Sequence, residues 1–175
     1  MHADNRKVHN GASNNNDTIA MYLPSLLVFL HIAAAIIWIG GMAIMHFAVR
    51  PAVTQLLEPP QRLPLMCAIL ARFFAMVSIA VPVLLISGIW LMSLMMGSGG
   101  RPPMSIHLMA GVGIVMMLIY GHIRFALFTR LKRGVAAQDW PVAAAALGSI
   151  RKLVALNLAL GTLTVAVAIM GRALF

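Results

Sequence analysis

Apolar residues run through this chain in four long blocks that short polar stretches separate. The blocks cover roughly residues 19–48, 65–96, 104–128 and 153–170. A helix that crosses a bilayer needs about 20 apolar residues, and the blocks lack the period-2 alternation that a β-barrel requires. Because backbone groups in lipid must be satisfied internally, the pattern predicts an all-α membrane protein with four transmembrane helices.

Composition supports the membrane assignment. Of the 175 residues, 61% are hydrophobic and 10% are charged, whereas soluble domains carry roughly a quarter charged residues. The net charge of +9 does not indicate nucleic-acid binding, because the basic residues lie at the ends of the blocks and in short loops. Cys67 is the only cysteine, which excludes an intramolecular disulfide and a cysteine-based zinc or iron–sulfur site.

Outside the apolar blocks, the sequence predicts a polar, disordered tail and a basic loop. Residues 1–18 are Asn-rich and contain His2 and His9, a pair able to bind copper weakly. The remainder, residues 19–175, is predicted to be one transmembrane domain. The third loop, residues 131–148, is either a partner surface or a basic segment near anionic lipid. The Lys and Arg distribution predicts that both termini of this multi-pass protein lie on the outer side of the membrane.

Two sixteen-residue stretches have a histidine at each end. "HIAAAIIWIGGMAIMH" spans residues 31–46, and "HLMAGVGIVMMLIYGH" spans residues 107–122. Both are followed by arginine and then by an acidic residue with proline, which is typical of a helix start. The repeat predicts two parallel-related helical hairpins, residues 19–96 and 104–173, in an up-down bundle. The first and third helices then lie diagonally across the core.

Diagonal helices would bring the histidines together in two layers. His31 would face His107 near the outer leaflet, His46 would face His122 near the inner leaflet, and about 22 Å of helix would separate the layers. Zinc needs four ligands at one level, whereas haem iron takes two axial ligands on opposite faces. The spacing therefore favours two b-type haems. A single haem is the alternative, because fifteen residues do not return to the same helical face.

Further residues are assigned to the same cofactor. Haem propionates need cations, and a flat ring needs small or stacking neighbours. The candidates are Arg72, Arg101, Arg124, Arg172, Trp38 and Gly111. Each has an ordinary alternative, namely snorkelling to the interface for arginine, core packing for tryptophan, and helix contact for glycine.

The resulting hypothesis is a di-haem cytochrome b that transfers electrons across the membrane. It would be an oxidoreductase linked to quinone or quinol, with superoxide or a periplasmic carrier as the second partner. Whether the chain forms a homo-oligomer is left open. A structural or assembly subunit without a cofactor is a further reading.

Copper is the alternative ligand. The chain has 14 methionines, and thioethers select Cu(I), although methionine also fills irregular cores. A group near His107 is predicted at the outer end of the second and third helices: Met92, Met95, Met96, Met104 and Met109.

Several segments resemble a known family. "LHIAAAIIWIGGMAIMHFAVRPA", "RFFAMVSIA", "SGIW", "GHIRF" and "GTLTVAVAIMGR" are similar to the copper resistance protein D (CopD) family of bacterial inner-membrane proteins. The resemblance extends from about residue 24 to residue 172 and implies a short stand-alone member of the family. It also implies a multi-pass protein of the bacterial inner membrane, with periplasmic termini, that serves copper uptake or tolerance. The arrangement of the histidines in two layers is also similar to that of the haem ligands in di-haem cytochromes b. This similarity concerns ligand geometry alone.

Overall fold

The structure is a computed structural model that describes the backbone of residues 4–174 and the side chains of Thr18 and of residues 21–171. This part of the chain is helical apart from short connections, and it contains no strand. The helices are α1 (Asp4–Ala35), α2 (Gly41–Ile44), α3 (Arg50–Leu56), α4 (Pro59–Gly97), α5 (Met104–His122), α6 (Phe128–Ala136) and α7 (Trp140–Leu174). Three π-helical segments join consecutive helices: Ile36–Gly40, Met45–Val49 and Ile123–Leu127.

Within the described residues, four continuous helical spans are long and apolar enough to cross a membrane. They are Met21–Leu56, Pro59–Gly97, Met104–Ala136 and Trp140–Gly171, and they are called the first to fourth span below. Large apolar side chains cover their outer surfaces, as at Ile79, Phe125 and Ile169. The prediction of an all-α, four-helix, multi-pass membrane protein is confirmed.

The fourth span begins earlier than its apolar block, at the helix start that Asp139 and Pro141 indicate. The expected loop at residues 131–148 is mostly helical, since α6 continues to Ala136 and α7 starts at Trp140. The Asp139 carboxylate accepts a hydrogen bond from the backbone N–H of Val142 at 3.1 Å, so it caps the helix as predicted. The alanine-rich sequence after Pro141 then continues the helix, and the loop prediction was therefore wrong.

The spans pack as two hairpins around a shared core. The first span lies along the second, and the third lies along the fourth. The hairpins meet at Tyr120, whose hydroxyl donates a hydrogen bond to the carbonyl of Phe74 at 3.0 Å. The edge of Tyr120 also meets Trp38, with the ring centroids 6.0 Å apart. Side chains of the first, second and third spans therefore converge in the core.

The π-helical segments are unevenly distributed between the hairpins. The first span contains two of them, on either side of α2, and the third span contains one, directly after His122. A π-helical turn rotates the residues that follow it relative to an α-helix, and such turns are frequent at functional sites. In the first span they bracket Met42 and include Trp38 and His46.

The division into a polar tail over residues 1–18 and a domain over residues 19–175 stays a prediction. The orientation of the termini likewise stays a prediction.

Candidate functional site

The four matched histidines lie in two kinds of environment. His31 and His46, both in the first span, are half-buried, whereas His107 and His122 in the third span are exposed. His31 forms its hydrogen bond with Ser87 of the second span. His46 packs edge-on against Phe47, with the ring centroids 4.9 Å apart. The two histidines of the first hairpin therefore pack partly inside the bundle, whereas those of the second hairpin lie on its surface.

His31 is held in a defined orientation. Its Nδ1 lies 2.9 Å from the Ser87 hydroxyl oxygen, and that hydroxyl donates its proton to the carbonyl of Val83 at 2.6 Å. The hydroxyl oxygen must then accept from Nδ1–H, which leaves a lone pair on Nε2. A Cβ added at Gly88 would lie 3.2 Å from Cε1 of His31, so the glycine admits the ring. A second-span serine thus presents Nε2 of His31 as a ligand atom.

A buried amide and a thioether meet deeper in the bundle. Asn157 of the fourth span is 1% exposed, Met42 is 2% exposed, and the Asn157 Nδ2 lies 3.8 Å from the Met42 sulfur. The Asn157 Oδ1 is buried and has no hydrogen-bond partner among the described residues. Because an unsatisfied polar group inside a membrane-spanning bundle is costly, this pair is a candidate functional feature.

Met116 of the third span lies one turn along from that pair. A Cβ added at Gly161, four residues after Asn157, would lie 3.1 Å from the Met116 methyl carbon and 3.0 Å from a side-chain carbon of Ile39. Met116 is itself 3% exposed. A second buried thioether therefore packs against the fourth span beside Met42.

A cleft of about 190 Å³ opens where the first span ends and the second begins. Its lining includes Met45, His46 and Met66, which belong to the first and second spans. Met66 is buried, while Met45 and His46 are half-buried. Three arginines and several apolar residues of the second and fourth spans complete the lining.

Together these side chains are a set of soft ligands at different levels along the spans. We call it the soft-ligand row, and it consists of His31, Met116, Met42, Met45, His46 and Met66. From His31 to Met45 the first span rises by about 21 Å. All six side chains are buried or half-buried. Such a row could pass a soft cation between successive sites without a charged ligand at any of them.

The sequence predicted only part of this row. His31 and His46 stand out because titratable rings are rare in apolar blocks. Asn157, the one amide in its block, offered a similar signal that the sequence interpretation did not use. Met42, Met66 and Met116 carry no signal of their own, because methionine is common in packed cores.

The methionine group predicted near His107 is placed mainly on the surface. Met92 and Met109 are half-buried, and the other members are exposed, as is His107 itself: Met95, Met96 and Met104. The soft-ligand row thus contains other methionines than those predicted.

The residues predicted to support a cofactor are scattered. Arg72, Arg101 and Gly111 are exposed. Trp38 is buried against Tyr120. Arg124 is half-buried, its guanidinium carbon lies 5.6 Å from the centre of the Phe128 ring, and its Nε is buried without a hydrogen-bond partner. The side chain of Arg172 lies outside the described residues.

Comparison with known protein families gives a match over more than half of the chain. A family model described as copper resistance protein D matches residues 67–170, a stretch that holds Met116 and Asn157. The chain belongs to the copper resistance protein D family. The resemblance noted in the sequence is thereby confirmed. Comparison with curated proteins and with solved structures gives no match.

The prediction of a di-haem cytochrome was wrong. The family is one of copper resistance, and the described residues contain no group of three or more His, Cys, Asp or Glu side chains suited to a metal ion. Haem iron would need an axial ligand on each face. His31 is instead bonded to the second span, while its intended partner His107 and also His122 are exposed. Equal spacing along two helices did not specify which side of each helix faces the core.

Proposed function

We propose that this protein handles copper in the bacterial inner membrane, binding Cu(I) as cargo on the soft-ligand row and conducting it through the bundle. Membership of the copper resistance protein D family supports copper as the ion. The buried thioethers support the cuprous state, because soft sulfur ligands select Cu(I).

The ligand chemistry suits transport better than storage. Thioether and neutral imidazole are uncharged donors, so they hold a monovalent cation less firmly than thiolates do. Conduction requires sites that are favourable enough to enter and weak enough to leave. Cys67, the only thiol in the chain, is half-buried and does not line the cleft.

The single observation that carries the proposal is the contact between Met42 and Asn157. A thioether at 2% exposure and an amide at 1% exposure meet in the core, and the amide oxygen has no hydrogen-bond partner. A Cu(I) ion bound beside the Met42 sulfur would give this oxygen an electrostatic partner. Core packing alone gives no reason for an asparagine at this point, because leucine would pack there without an unsatisfied oxygen.

Cu(I) affinity of the purified full-length protein tests the proposal. The protein is titrated anaerobically in detergent against a chromogenic Cu(I) chelator, as wild type and as Met42→Leu. The substitution conserves size but removes the sulfur. We expect at least tenfold weaker binding, about 1.4 kcal/mol. Met76→Leu is the matched control, because Met76 lies in the second span but is 53% exposed, and it should bind as the wild type does.

A second measurement addresses transport itself. Proteoliposomes loaded with a Cu(I) indicator should take up copper with the wild-type protein and with Met76→Leu, and more slowly with Met42→Leu. Equal uptake by all three proteins, or equal affinities in the titration, would overturn the assignment of the soft-ligand row.

A further inference from the structure

The cleft holds a positive charge that no described side chain neutralises. Arg50, Arg62 and Arg151 line it, one each from the first, second and fourth spans. Arg50 and Arg151 are close enough to repel each other electrostatically. Within the part of the chain that the structure describes, none of the three forms an ion pair or a side-chain hydrogen bond.

The protein has little to offer as a counter-charge. Its sequence contains four acidic residues against 13 basic ones, and the described side chains include only Glu58 and Asp139. Asp139 caps the fourth span, and neither residue lines the cleft. Because cations at the edge of a low-dielectric bundle are stabilised by an anion, an anion from another molecule would be held favourably here.

The residues that line the cleft indicate which kind of anion would fit it. Behind the arginines, apolar side chains of two spans form the wall, including Leu63, Leu70, Ile150 and Val154. Guanidinium groups present forked donors that match the oxygens of phosphate. A ligand that combines a phosphate group with an apolar portion fits both parts of the lining.

We propose that this cleft is a binding site for a phosphate-bearing anion, held by Arg50, Arg62 and Arg151. The phosphate group can belong to the headgroup of an anionic lipid or to a free phosphate ion, and the apolar wall favours the lipid. The site stands on the arginines and does not depend on copper. A bound anion would also offset the repulsion that three arginines exert on a cation beside His46.

The test uses the full-length protein in neutral detergent and two probes. Phosphatidylglycerol or inorganic phosphate is titrated while the melting temperature is followed, and native mass spectrometry counts the lipid that stays bound. Phosphatidylglycerol should raise the melting temperature of the wild type by several degrees. Zwitterionic phosphatidylcholine should raise it less.

Arginine variants test whether the lipid binds in the cleft. Arg151 is exposed, so Arg151→Gln should fold. This variant should need at least fivefold more phosphatidylglycerol for the same rise in melting temperature. Arg62→Gln should behave similarly and serves as a second variant if one of them unfolds. Arg130→Gln is the matched control, because Arg130 is exposed in α6 and does not line the cleft; it should retain the wild-type response.

The results of these titrations distinguish a lipid headgroup from a free phosphate ion as the ligand. A shift with lipid and none with inorganic phosphate assigns the site to a lipid headgroup, and a comparable shift with both assigns it to phosphate as such. No shift with either probe, or an equal loss in Arg151→Gln and Arg130→Gln, would overturn the proposal, since the binding would then follow overall surface charge.

Discussion

The two hairpins carry the same histidine spacing but use it differently. In the first hairpin, His31 is bonded to Ser87 and faces Gly88, and His46 lines the cleft. In the second hairpin, His107 and His122 are exposed, and the inward positions are occupied by Met116 and Tyr120. The first hairpin therefore places imidazole rings and thioethers in the interior, while the second places a thioether, an amide and a tyrosine there.

This difference shows what a repeat in the sequence leaves undetermined. Spacing determines the distance between two residues along a helix. The contacts with neighbouring helices determine which face of the helix lies toward the core. In the first span, close approach at Gly41 and two π-helical segments set that direction. The third span has its single π-helical segment only after His122, so nothing similar acts between its histidines.

The largest expected effect comes from the glycines that set helix approach. A Cβ at Gly41 would lie 2.5 Å from a ring carbon of Phe73, whereas a Cβ at Gly121 has nothing within 4 Å. We expect Gly41→Leu to lower the free energy of unfolding by about 1–3 kcal/mol and Gly121→Leu to change it far less. Thermal unfolding in detergent measures both, and equal losses would contradict the difference between the hairpins.

A smaller effect is expected from the serine that orients His31. Ser87→Ala removes the acceptor for Nδ1–H and frees the ring, so Cu(I) affinity should fall by about tenfold, within the range typical of groups that orient metal ligands. Ser149→Ala is the matched control, because the Ser149 hydroxyl also donates to the carbonyl four residues earlier but is exposed and contacts no histidine.

A structural role of Ser87 would produce another pattern. The unfolding temperature of Ser87→Ala would then fall while its Cu(I) affinity stayed at the wild-type value. That result would remove His31 from the soft-ligand row.

The smallest expected effect on stability concerns the acidic residues that precede the second and fourth spans, in the turns of the two hairpins. Asp139 caps the fourth span through its side chain, whereas Glu58, at the equivalent place before the second span, makes no side-chain cap bond. Asp139→Ala should therefore cost about 1 kcal/mol of stability, and Glu58→Ala should cost less than about 0.5 kcal/mol. Denaturant or thermal unfolding of the two variants provides the comparison, and a larger loss in Glu58→Ala would contradict it.

Several parts of the architecture could be predicted from the sequence. Four apolar blocks predicted four spans, and Asp139 with Pro141 predicted the start of the last one. The extent of that last span could not be predicted from hydropathy, because alanine and polar residues precede its most apolar part.

The site was less accessible to sequence reasoning. His31 and His46 were identifiable as rare titratable groups in apolar blocks, but their partners depend on tertiary contacts. Ser87 and Asn157 become informative only when the second and fourth spans lie against the first. The family match decided between haem and copper, and spacing alone does not determine which histidines face inward.

X-ray absorption at the copper edge, recorded on the Cu(I)-loaded full-length protein, tests the central claim most directly. We predict a mixed shell of sulfur and imidazole nitrogen around copper. The sulfur contribution should weaken in Met42→Leu and persist in Met76→Leu. A variant with His2→Ala and His9→Ala should give the wild-type spectrum. A shell of nitrogen and oxygen alone, or one that disappears with His2 and His9, would place copper outside the bundle and contradict the account.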